Sequence, residues 1–159
     1  MTRGWMIAVA AAGSLGLLLG AFAFQYLGGM APCPLCIWQR WPHVAGVAAA
    51  IGAWLVPAIV WPLAGAGAML VSAGLGGYHT GIERGWWAGP DTCAGGGSLS
   101  GMSGAELLGT DGPSGVVLCD EVVWEMLGLS MASWNGLASL GLAALWLTAL
   151  ARVAQRGTP

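Results

Sequence analysis

From Trp5 to Phe24 the chain carries no charged residue. A run of about 20 apolar residues is long enough to cross the hydrocarbon core of a bilayer as a helix. A cleaved signal peptide has an apolar core of only about 7–15 residues, so this run is expected to be a retained span. From Val44 to Tyr78 there is again no charge. As one helix rising about 1.5 Å per residue, that stretch would reach roughly 50 Å, well beyond a core of about 30 Å. Pro57 and Pro62 break it, because proline removes a backbone donor and clashes with the preceding turn. A last apolar run lies between Met131 and Ala151, and Ser130 or Ser133 can cap its start.

These runs predict an all-α membrane protein: a four-transmembrane-helix bundle with two extracytoplasmic loops carrying cysteine pairs. The spans are expected at roughly 5–26, 37–57, 62–80 and 131–151, and the loops at 27–36 and 81–130, in a single membrane domain covering 1–159. Composition agrees, with 57% hydrophobic and 8% charged residues, where soluble domains carry about 25% charged residues. All seven acidic residues lie between Glu83 and Glu125, and the five basic ones are Arg3, Arg40, Arg84, Arg152 and Arg156. Without a basic run there is no electrostatic footprint for nucleic acid.

The positive-inside rule orients the bundle. Arg3, Arg152 and Arg156 flank the first and last spans, which places both termini in the cytoplasm against the lesser weight of Arg40 and Arg84. Trp38, Trp41, Trp86, Trp87, Trp124 and Trp134 fall near the outer boundaries, where amphipathic rings anchor at the headgroups. The second outer loop is rich in glycine and serine, a composition costly to order; within it, Gly104–Leu108 is expected to form a short surface helix.

All four cysteines then share the outer face: Cys33 and Cys36 in the first loop, Cys93 and Cys119 in the second. In bacteria that compartment is oxidising. One C-x-x-C with two distant cysteines is a poor zinc pattern, since four-cysteine sites use two tight pairs. A pair of bracing disulfides remains an alternative. Redox chemistry is favoured by three features. Cys33 and Cys36 sit where the second span begins, and the positive end of a helix dipole favours thiolate. Arg40 follows Cys36 by four residues and shares its face if the helix has begun by then, although Pro42 can delay that start. An arginine at the membrane boundary is a functional candidate able to hold a polar electron acceptor; its bland reading is a snorkelling anchor. His43, seven residues beyond Cys36, reads as a structural hydrogen-bonding group.

With these residues in place the sequence resembles the DsbB family of bacterial membrane thiol oxidases over nearly its whole length. The matching stretches are PCPLCIWQR from Pro32 to Arg40, GGYHTGIERGWWAGPDTC from Gly76 to Cys93, and LCDEVVWEMLGLSMASWN from Leu118 to Asn135. The resemblance implies a quinone-dependent protein-disulfide oxidoreductase of the bacterial inner membrane with its cysteines on the periplasmic side. A reduced DsbA-like thioredoxin-fold partner would attack Cys93, a transient link would join Cys119 to Cys33, and Cys36 would pass the electrons to ubiquinone or menaquinone. That scheme needs an accessible, water-facing loop pair and a lipid-facing C-x-x-C. The resemblance also implies that Arg40 holds the quinone with His79 close by. Many relatives have glutamate where Gln39 stands and tyrosine where Trp38 stands; neither change removes a reacting group. A vitamin K epoxide reductase-like enzyme ranks lower, because in that family the loop pair precedes the C-x-x-C.

Overall fold

The structure, a computed structural model, describes residues 2–90, 93 and 118–156. Four helices make up the bundle: α1 Arg3–Tyr26, α2 Pro34–Leu55, α3 Val60–Glu83 and α4 Met131–Arg156. The segment Gly104–Leu108 lies outside the described residues.

Each helix starts for a local reason. The Thr2 hydroxyl accepts the Trp5 N–H at 3.3 Å and caps α1. Cys33 caps α2, its sulfur accepting the Cys36 N–H at 3.2 Å, and Pro34 fills the first helical position, where a missing N–H costs nothing. The helix therefore begins before Cys36, and that cysteine belongs to α2 rather than to the loop expected over 27–36. Pro42 sits within α2 and does not delay it. The chain turns over residues 56–59, around Pro57, and Pro62 is absorbed into the first turn of α3. Of the two candidate caps for α4, Ser130 takes the role, accepting the Ser133 N–H at 3.2 Å.

One element departs from the all-helical expectation. Before α4 the chain makes a two-residue hairpin, β1 Glu125–Met126 against β2 Leu129–Ser130, paired antiparallel. Its turn residues Leu127 and Gly128 both have positive φ, 55° and 75°, as a tight hairpin turn of this hand requires. Trp134 Nε1 and Arg84 Nη2 donate to the carbonyls of Met126 and Gly128 and tie the hairpin to α4 and α3.

Among the described residues, three helices are long and apolar enough to cross a membrane: α1, α3 and Met131–Arg152 of α4. Although α2 has 22 residues, it is not apolar enough by composition, since Gln39, Arg40 and His43 fall on it. Large apolar side chains such as Leu19, Trp41, Trp54 and Leu63 face outward, as the surface of a multi-pass membrane protein requires.

Inside, one half of the bundle is apolar. Trp146 is fully buried among Met6, Ala10, Ala50, Ala66, Met69 and Ala149. Helices pack through small residues there and higher up, as lipid-embedded helices do. A Cβ on Gly65 would lie 2.5 Å from the Trp146 ring, and one on Gly76 would lie 2.8 Å from the Gly136 Cα. The Gly76–Gly136 contact brings the α3 and α4 backbones together just below the half of the bundle that holds the cysteines.

Candidate functional site

The sulfur cluster forms where α2 begins and α3 ends, with Cys93 and Cys119 packed against them. Cys93 and Cys119 are joined in a disulfide, while Cys33 and Cys36 are thiols with sulfurs 2.9 Å apart, Cys33 donating to Cys36. Cys33, Cys93 and Cys119 are buried against Leu35 and Ile82. The loop pair is thus buried, contrary to the water-facing position the two-faced scheme expects. The Cys93–Cys119 disulfide is 3% and 0% exposed at its two residues, because its sulfurs pack against Leu35 of α2 and Ile82 of α3.

This packing brings the two pairs together. The Cys33 and Cys119 sulfurs and a ring nitrogen of His79 all lie within 4.8 Å of one another. His79 Nε2 is 3.6 Å from the Cys33 sulfur and 3.9 Å from a Glu83 carboxylate oxygen. Ser130 donates to the other Glu83 oxygen. The neighbouring Cys36 sulfur, then burial, push the Cys33 thiol well above its ordinary range.

Cys36 faces the other way. It lines a cavity of about 310 Å³ with Gln39, Arg40, His43, Phe24 and Trp134, a size and mixture that suit a small, mostly apolar ligand with a few polar anchors. Arg40 donates to Gln25 Oε1 at 2.7 Å and lies over the Phe22 ring at 4.9 Å, while its buried Nε has no partner. Both Cys36 and Arg40 also line a second cavity of about 50 Å³, with Cys33, His79 and Glu83. His79 therefore belongs to the Cys33 side. It shares the small cavity with Arg40 but does not line the large one, because its position on α3 faces the start of α2.

Sequence reasoning passed over the polar groups that join these parts. Asn135 Nδ2 donates to Gln39 Oε1 at 2.8 Å, and Gln39 Nε2 faces His79 Nδ1 at 2.9 Å. His43, as expected, is a structural hydrogen-bonding group, 2.9 Å from Asn135 Oδ1 and 3.2 Å from Ser72 Oγ. Uncharged amides on apolar helices gave the only signal. Trp124 and Trp134, read as interface anchors, line the large cavity.

Comparison with known proteins fits this arrangement. Residues 3–149 match the family described as Disulfide bond formation protein DsbB. The chain is 34% identical to a disulfide bond formation protein B of Dechloromonas aromatica, over 89% of this chain and 88% of that one. A protein of the same description from Polaromonas naphthalenivorans is 32% identical, over 95% and 93%. A third, from Methylococcus capsulatus, is 35% identical over 82% and 84%. No solved structure matches. A four-cysteine helical bundle that matches this family over nearly all its length belongs to the DsbB family of disulfide bond formation proteins.

Proposed function

We propose that this disulfide oxidoreductase reoxidises a DsbA-like thioredoxin-fold protein of the periplasm and passes the electrons to a membrane quinone. All four helices span the inner membrane in this reading, with both termini cytoplasmic and the cysteines periplasmic. The observation that carries it is the division of labour within the C-x-x-C. Cys33 faces the loop disulfide and Cys36 faces the large cavity.

The residues of that cavity fit a quinone: apolar walls for the ring and tail, and the Arg40 guanidinium with an unsatisfied Nε for a carbonyl oxygen. When bound, a quinone supplies a two-electron acceptor beside Cys36. The protein's own steps are thiol–disulfide exchanges. The partner's thiolate attacks Cys93 and releases Cys119, and Cys119 attacks Cys33 of a Cys33–Cys36 disulfide and releases Cys36 as thiolate. The partner's second thiolate then attacks the mixed disulfide, leaves as the partner's own disulfide and frees Cys93, whose thiolate attacks Cys119 and releases Cys33. The state with the loop disulfide closed and Cys33 and Cys36 as thiols is the one in which the electrons have reached the C-x-x-C. Because Cys93 is buried, it must become exposed for the partner's attack.

Purified protein with added quinone tests this reading by visible absorption. A thiolate–quinone charge-transfer band is expected, lost in Cys36→Ala and weakened about tenfold in apparent affinity in Arg40→Met, the effect of one charge-assisted hydrogen bond. If Cys36→Ala protein still oxidises its partner in membranes supplied with quinone, the reading fails. Disulfides that never exchange would favour the bracing alternative.

A further inference from the structure

His79 sits between sulfurs that must exchange, and the proton on its ring decides what it can do there. Either nitrogen of a neutral imidazole can carry the proton, and the partner of one fixes the other. A chain of hydrogen bonds running back from His79 settles which. Gln39 Nε2 lies 3.3 Å from the Leu35 carbonyl, which can only accept, so this end of the amide is the donor. The same Nε2 faces His79 Nδ1 at 2.9 Å, so Nδ1 accepts. The far end of Gln39 is then its oxygen, matched by the Asn135 Nδ2 that donates to it at 2.8 Å. Asn135 Oδ1 in turn receives the His43 Nε2–H at 2.9 Å. One backbone carbonyl thereby orients two amides and two imidazoles. Every group in the chain is at least partly buried, which makes a reversed orientation costly.

We propose that Gln39, held by Asn135, is a positioning residue that keeps His79 neutral with its proton on Nε2, so that His79 donates to the Cys33 sulfur and does not act as its base. The surroundings of Nε2 agree: the Cys33 sulfur at 3.6 Å and the Glu83 carboxylate at 3.9 Å are both acceptors, and the Cys119 backbone carbonyl lies beside the same ring. The inference rests on the proposed exchange between Cys33 and Cys119. In that step a Cys93 thiolate attacks the Cys119 sulfur, the Cys93–Cys119 bond forms, the Cys33–Cys119 bond breaks, and the electron pair leaves on Cys33. A fixed N–H beside Cys33 stabilises that leaving thiolate, as does the Cys36 N–H at 3.2 Å. No proton has to be transferred for this, and no outside oxidant is consumed. A glutamate at position 39 would accept where Gln39 donates, and would draw the His79 proton to Nδ1.

The chain has only two histidines, so nitrogen-15 NMR of the full-length protein in lipid nanodiscs resolves both rings. Wild type is expected to show His79 protonated at Nε2 and bare at Nδ1, and Gln39→Glu is expected to place a proton on Nδ1. A His79 bare at Nε2 in wild type overturns the proposal, whether or not any variant folds. The chemical consequence is read in a Cys36→Ala background, where three cysteines share one disulfide. Acid-quenched alkylation and peptide mapping give the ratio of Cys93–Cys119 to Cys33–Cys119. Gln39→Glu should lower that ratio about tenfold, the effect of one hydrogen bond to a charged sulfur; an unchanged ratio overturns the proposal. Neither readout needs quinone or partner, so failure of the electron route to quinone would register separately.

Discussion

Trp146 and His79 are both buried aromatic side chains in the same bundle, yet their surroundings have little in common. Trp146 lies among alanines and methionines with its indole Nε1 unpartnered. His79 lies among a glutamine, a glutamate, a serine and sulfur, with both ring nitrogens facing polar groups. In one half, shape does the work and a polar atom goes unsatisfied. In the other, polar groups are linked end to end, so that removing one strands the next. The first half therefore holds the helices together, and the second holds chemistry in place.

Substitutions can break this comparison, and thermal unfolding in detergent reads each of them. Trp146→Ala hollows the apolar half and should cost about 3–5 kcal/mol. Asn135→Leu keeps the branching of the side chain but leaves Gln39 Oε1 without its donor and His43 Nε2 with Ser72 Oγ alone, and should cost about 2–4 kcal/mol. Ser130→Ala removes the α4 cap and should cost about 1–2 kcal/mol. Trp146→Phe sharpens the contrast most, because it discards only an unpaired N–H and some volume; its cost should stay under about 1.5 kcal/mol. If Trp146→Phe proved as damaging as Asn135→Leu, the two halves would not differ in kind.

The apolar half was largely legible in the sequence. Long uncharged runs located the helices, prolines located the turn between α2 and α3, and serine located the start of α4. The C-x-x-C with an arginine four residues on also marked where the site begins. What escaped were contacts between residues far apart in sequence. Gln39 meets Asn135 across 96 positions and Cys33 meets His79 across 46. Neither pairing leaves a periodic trace, because each depends on how helices cross. The burial of Cys93 and Cys119 escaped for the same reason: a glycine- and serine-rich loop reads as solvated until Leu35 and Ile82 are seen waiting for its sulfurs. Nor does motif reading weigh α2 correctly, since the residues that give it its chemistry are those that lower its hydropathy.

The close crossing at Gly76 and Gly136 acts as a spacer whose setting is zero. Asn135 is the residue just before one of these glycines, and His79 lies three residues after the other. The distance between the amide chain and the imidazole it orients is thus calibrated by the lack of any side chain between two backbones. A single methyl at position 76 would meet the Gly136 backbone, pushing apart two residues it never touches. Tolerance to mutation at this glycine is therefore a measure of how finely the distant imidazole must be aimed.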